Sequence, residues 1–309
     1  MNTLLNSIFS PQFVFAVIRV TTPLLLSAIG VAITALSGSI NIGLEGIMLV
    51  SAFTGVIISG FTGNLLLALV GGVLVGIGWG ALLGYFHLKL KTNIIIAAIA
   101  LNLFASGVTV LLLYVFTNDK GASSSLASLV FPSIQLPIIK DIPILGEILS
   151  GHNVLSYFAL LSIFLFYWLI NKTTLGLRIR AVGQNPGAAA SVGINVNRIK
   201  MCSLLISGFF GSLGGLYLSM GYVSWFSRDM TSGRGFIAVA AAALGRNLPF
   251  GTCLGVFLFG FINTIAIYIA PSGIPSEFLY ALPYFVTIIA LTIYSIRINR
   301  KTSSIRKEG

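Results

Sequence analysis

The chain has 309 residues, 56% of them hydrophobic and only 8% charged, with a mean hydropathy of +1.00. Soluble domains carry about a quarter charged residues, so the composition excludes a soluble globular protein and defines a polytopic membrane protein. The formal charge of +11 is spread over short loops and the C-terminal tail, as topology signals are. It therefore gives no reason to expect a nucleic-acid partner.

Runs apolar enough to span a bilayer need about 20 residues. In chain order they fall at 13–36, 43–61, 65–87, 93–116, 153–170, 201–222, 250–270 and 278–296, with a shorter run at 235–246. The short run cannot cross alone unless it begins earlier or belongs to a broken helix. The pattern predicts an all-α fold of about nine transmembrane helices. The polar stretch Ser37-Gly38-Ser39-Ile40-Asn41-Ile42-Gly43 separates the first two runs, and Glu45 just beyond it is the only acidic residue in the first 118 positions. A charged side chain at the bilayer centre costs about 2.5–3.5 kcal/mol on insertion scales. Two readings stay open: a broken helix in which Asn41 and Glu45 line a pathway, or an ordinary turn in which Glu45 caps its own helix. Arg234, at the start of the short run, poses the same choice. Glu45 and Arg234 can approach each other only if both segments are re-entrant. Asn102 and Asn263 sit in the middle of their runs. Such amides tie helices together in lipid or touch a solute.

Loop charge sets the orientation. Lys89, Lys91, Lys172, Arg178, Arg180, Arg198, Lys200, Arg246 and the basic tail 297–309 share one side if the runs alternate. That side is expected to be cytoplasmic, which puts the C-terminus inside and the N-terminus outside. Arg19, within the first run, decides little. The segment 117–152, with Pro132, Pro137 and Pro143, becomes an external loop, long enough to be functional or disordered.

A weak internal similarity relates Glu45-Gly46-Ile47-Met48-Leu49-Val50-Ser51-Ala52 to Arg234-Gly235-Phe236-Ile237-Ala238-Val239-Ala240-Ala241. On this topology the two halves run in opposite senses. The expectation is one permease-like domain: repeat one at about 13–116, a connecting helix at 153–170, and an inverted repeat two at about 201–296, four helices each. Inverted repeats with a pathway at their interface are a transporter architecture.

Enzyme readings find no support. His87 and His152 read as interfacial, and no zinc, nucleophile-elbow or phosphate-loop motif occurs. No metal ligand set is expected. Cys202 and Cys253, both in apolar stretches, read as packing residues. Any ATP that powers transport must sit on another subunit.

The polar island 171–200 is the most specific feature. Asn185 can cap a helix, Pro186 suits its first position, and Gly193 permits a left-handed exit. A capped helix of about two turns on a basic loop suggests a docking surface. The stretches Leu36 to Ala52, Thr174 to Gly193 and Gly233 to Gly251 resemble the permease subunits of bacterial ATP-binding cassette importers. The group is that of ribose and branched-chain amino acid permeases, and within it the nucleoside branch. The resemblance covers about residues 10–296 and implies a bacterial inner-membrane importer subunit. Gln184, Asn185, Pro186, Gly187 and Ala188 would form a coupling helix on an ATPase that holds ATP and Mg, with Arg178 and Arg180 supplying loop charge. A second, non-identical permease and an external binding protein, often a lipoprotein, are further implied partners. Asn41, Glu45, Asn102, Arg234 and Asn263 are the pathway candidates. A simple sugar, riboflavin or similar ring-containing solute is the alternative cargo, and an ion-coupled secondary transporter the alternative class.

Overall fold

The computed structural model describes residues 10–137, 142, 144–270, 285 and 292. The run expected at 278–296 and the tail fall almost wholly outside them. The described residues form eleven α-helices: α1 (Pro11–Leu36), α2 (Leu44–Thr62), α3 (Leu65–Gly84), α4 (Ile94–Thr117), α5 (Leu145–Leu149), α6 (Val154–Lys172), α7 (Thr174–Gln184), α8 (Pro186–Ser191), α9 (Val196–Met220), α10 (Arg234–Leu244) and α11 (Pro249–Ile269). Seven of them, α1, α2, α3 with its π-helical extension Tyr85–Lys89, α4, α6, α9 and α11, are long and apolar enough to cross a membrane.

Helix starts follow local chemistry. Asn64, Asn93, Asn153, Asn185 and Asn195 each accept an N–H from the helix that they precede, satisfying donors that the first turn leaves open. Asn195 explains why α9 begins at Val196 rather than at the expected 201. The cap carries the helix out through Arg198 and Lys200 while Ile199 is buried. In the island, α7 precedes the expected short helix. It buries Ile179 and Val182 on one face and exposes Leu177 and Arg178 on the other.

Helices α1, α2 and α9 form the centre of the bundle, whereas α3 and α4 leave most of their apolar surface exposed. Close approach at the centre depends on missing side chains. A Cβ on Gly208 of α9 would meet the Gly76 carbonyl of α3, and a Cβ on Gly76 would meet the Gly208 carbonyl. Small residues let backbones touch where lipid supplies no hydrophobic drive. One end of the bundle carries the basic loops; there the end of α1 packs on α7, through Gly38 and Gly183. At the other end the described residues between α4 and α6 fold down over the helices. Leu129 N donates to Ser59 Oγ at 2.8 Å, and Asn153 Nδ2 donates to the carbonyls of Phe131 and Gly221 at 2.8 and 2.9 Å.

Candidate functional site

The break after α1 and the start of α10 meet inside the bundle. Glu45, in the first turn of α2, extends its carboxylate to α10. Its Oε1 accepts from Gly233 N at 2.8 Å and its Oε2 from Gly235 N at 2.7 Å. Gly233 has no side chain to cap α10 and sits at φ +78°, so Glu45 supplies from another helix the cap that the local sequence lacks. A carboxylate also suits the positive end of the helix dipole. The cap faces α10 rather than α2 itself, a partner that neither reading of Glu45 included. Arg234 does not pair with Glu45; its guanidinium donates to the carbonyls of Met230 and Thr231 at 2.9 and 3.3 Å. The two stretches that share a sequence pattern therefore start at the same point in space.

The depth of this junction follows from Asn102. Its Oδ1 accepts from Gly46 N at 2.9 Å and its Nδ2 donates to Ile42 O at 3.1 Å. Asn102 is eight residues into α4, roughly 12 Å along the helix at 1.5 Å per residue. Helix α10, 11 residues long, covers roughly 16 Å, about half of a bilayer core. Asn41 is fully buried and also engaged: its Nδ2 donates to Ser207 Oγ at 3.0 Å and its Oδ1 accepts from Gly43 N at 2.8 Å. Asn41, Glu45, Asn102 and the backbone around Arg234 thus form one polar junction between discontinuous segments. Asn263 lies apart on α11, half-buried and without a hydrogen bond among the described residues. Of the aromatic residues, Phe53 is buried against Phe226, Phe104 stacks on Trp79, and Trp225 is exposed.

The island presents the second candidate surface. Gln184, Asn185, Pro186, Gly187 and Ala188 are all exposed, one after another, and the adjacent Ala189 is buried to anchor them. Asn185 Oδ1 accepts from Ala188 N at 3.0 Å, Pro186 is the first helical residue, and Gly193 leaves at φ +82°. Arg178 is exposed, and Arg180 is half-buried, with its Nε unpartnered among the described residues.

A third polar group went unnoticed in the sequence. Around Arg19 of α1, a recess of about 300 Å³ is lined by Phe15, His152, Tyr217 and Tyr222, at the end away from the basic loops. His152 is buried within the protein: it is 3% exposed, stacked on Phe15 at 3.9 Å, and its Nε2 meets Ile148 O at 2.9 Å. Burial pushes its pKa below the ordinary 6.5, the Ile148 carbonyl opposes this, and the charge of Arg19 adds to it. The folded chain therefore resists a proton that the unfolded chain accepts just below pH 6.5. Stability present above that value is lost as pH falls through the folded value. The melting temperature of the protein in nanodiscs should fall as the pH drops below 6.5. His152→Gln should flatten that slope; an unchanged slope would remove His152 as its cause.

A bundle of long apolar helices, joined at mid-depth by a half-length helix and bearing an exposed capped shelf at one end, defines a transport permease. The chain belongs to the family described as the permease component of branched-chain amino acid transport systems, whose model matches residues 13–291. It is 33% identical to the guanosine ABC transporter permease protein NupQ of Bacillus subtilis, over 87% of this chain and 88% of that one. It is 32% identical to the nucleoside ABC transporter permease protein NupC of Lactococcus lactis, over 89% of each. The guanosine ABC transporter permease protein NupP of Bacillus subtilis is 30% identical, over 96% of this chain and 86% of that one. A solved chain of an ABC transporter in an inward-facing conformation shares the fold, with a TM-score of 0.52 at 18% identity, over 97% of this chain and 90% of that one. Permeases of this family are multi-pass membrane subunits that work with an ATPase partner.

Proposed function

We propose that this chain forms the pathway of an ATP-driven importer for nucleosides in a bacterial inner membrane. The observation that carries the docking part is the exposed run Gln184–Ala188 on the capped helix α8. The nucleoside assignment is supported by guanosine and nucleoside permeases among the relatives at about a third identity. In this reading the basic end faces the cytoplasm and carries the C-terminus, with the N-terminus outside. The ATPase docks on α8, aided by Arg178 and Arg180, and holds ATP and Mg; this chain binds neither and catalyses no reaction. Two differently named guanosine permeases of Bacillus subtilis resemble this chain, which favours a second, non-identical permease as partner. An extracytoplasmic binding protein delivers the solute. Arg234 and Asn263 retain polar groups that a passing solute can meet, whereas Asn41, Glu45 and Asn102 hold the junction's shape.

The test is ATP hydrolysis by the co-purified complex in nanodiscs with loaded binding protein. Nucleoside-stimulated hydrolysis is expected. Asn185→Ala removes a cap worth about 1 kcal/mol and should reduce that stimulation; deletion of 185–191 should abolish it. Stimulation only by a sugar or flavin would discard the nucleoside and keep the permease. Uptake that resists ATP depletion and collapses with an ionophore would establish the ion-coupled class instead.

A further inference from the structure

Arg19 is the most conspicuous charge that the polar junction and the docking shelf leave unexplained. It lies eight residues into α1, a helix long and apolar enough to span the membrane, roughly 12 Å from its start at 1.5 Å per residue. It is exposed and has neither an acidic partner nor a hydrogen bond among the described residues. Its guanidinium stands over the Tyr222 ring, 4.8 Å from the centroid. An uncompensated cation in a span marks a functional, water-accessible surface rather than a lipid-facing one. Tyr222 lies in the loop that leads from the end of α9 at Met220 to Gly233 at the start of α10. The recess and the junction are therefore joined by one loop.

We propose that the recess around Arg19, Tyr222 and His152 is a solute-binding station on the pathway, taking a neutral planar ring that carries both hydrogen-bond acceptors and an N–H donor. The proposal rests on the nucleoside reading above and names residues that would recognise the base. The recess of about 300 Å³ is at the small end of ligand sites, which run from about 300 to 1,000 Å³. Arg19 offers donors in a plane and a face for stacking. Tyr222, 42% exposed, offers an aromatic face. His152 uses Nε2 on the Ile148 carbonyl; with the proton on that nitrogen, Nδ1 is left as an acceptor. Among the described residues no acidic side chain lines the recess, so a cationic solute gains nothing from them and is repelled by Arg19.

The experiment uses the complete transporter in nanodiscs, without binding protein, and radiolabelled guanosine as probe. The intact complex should bind guanosine saturably. Arg19→Gln should weaken binding about tenfold, the scale of one hydrogen bond from a charged group. Arg19→Lys should weaken it less, and Tyr222→Leu more than Tyr222→Phe. A second readout does not depend on these variants folding: Ser133→Cys, exposed on the rim, should react with a membrane-impermeant maleimide and be protected by guanosine. Wild-type binding in Arg19→Gln and Tyr222→Leu, or labelling of Ser133→Cys that guanosine leaves unchanged, overturns the station. A complex that imports no nucleoside at all, but imports ribose or riboflavin, instead overturns the nucleoside reading. The same variants tested with that solute then decide the station.

Discussion

Replacing Glu45 with Ala should destabilise the chain by about 4 kcal/mol and abolish uptake. Two backbone N–H groups at the start of α10 depend on this carboxylate. Leaving a buried donor unsatisfied costs about 1–3 kcal/mol each, and the lost charge at the helix N-terminus adds up to about 2 kcal/mol in a partly buried setting. Glu45→Gln keeps one acceptor oxygen and should lose about half as much. Melting in nanodiscs ranks the variants, and uptake by the assembled transporter reads the functional loss. A melting curve for Glu45→Ala within about 1 kcal/mol of wild type would mean that α10 is held by something else. Gly235→Ala separates the clamp from helix propensity. In a helix Ala is better than Gly by about 1 kcal/mol, yet a Cβ here would meet the Glu45 backbone and its Oε2. Destabilisation by a helix-favouring change would show that the close approach matters.

The legible and illegible parts of the chain divide by range of interaction. The shelf at Asn185, Pro186 and Gly193 was readable because cap, first-turn proline and left-handed exit act within a few residues. The long spans were readable because each carries its own apolar length. The polar break at 37–43 and the short run at 235–246 were visible as anomalies, and the structure turns them into the two sides of one junction. That the two could approach was visible only as a condition on both being re-entrant; the contact itself was not, since Glu45 and Gly233 are 188 positions apart and no local pattern names a partner. Helix α7 escaped notice because its apolar residues are interleaved with Thr174, Arg178, Arg180 and Gln184; the buried Gly176, Ile179 and Val182 mark its inner face. Arg19 was present as a lone cation inside an apolar run, and that was signal enough to flag it. Its neighbours Tyr222 and His152 come from loops whose paths the sequence does not dictate.

The shelf and the junction are physically joined, and Gly183→Ala should break the connection. Gly183 lies in the last turn of α7, directly before the exposed run. A Cβ there would overlap the Leu36 carbonyl and press on Gly38 N, all backbone atoms that cannot rotate away. Gly38 answers from the other side at φ +75°, a left-handed conformation that glycine adopts without strain. From this contact the chain runs to Asn41, whose N–H donates to Thr34 Oγ1 at 3.1 Å. It then reaches Gly46 and Asn102, and through Glu45 the start of α10. If the ATPase docks on α8 as proposed, a displacement of α8 would be delivered to the turn that ends α1, only a few residues from the junction. Packing an extra methyl against backbone costs about 1–3 kcal/mol, and separating the two surfaces should reduce uptake by roughly tenfold, the range of ordinary coupling energies. The ATPase should still co-purify and hydrolyse ATP at its basal rate, because the exposed residues of α8 are untouched. Loss of the ATPase from the purified complex would instead make Gly183 part of the docking surface. Full uptake would mean that motion reaches the junction by another route, with α9, which packs against both α7 and α8, the next element to test.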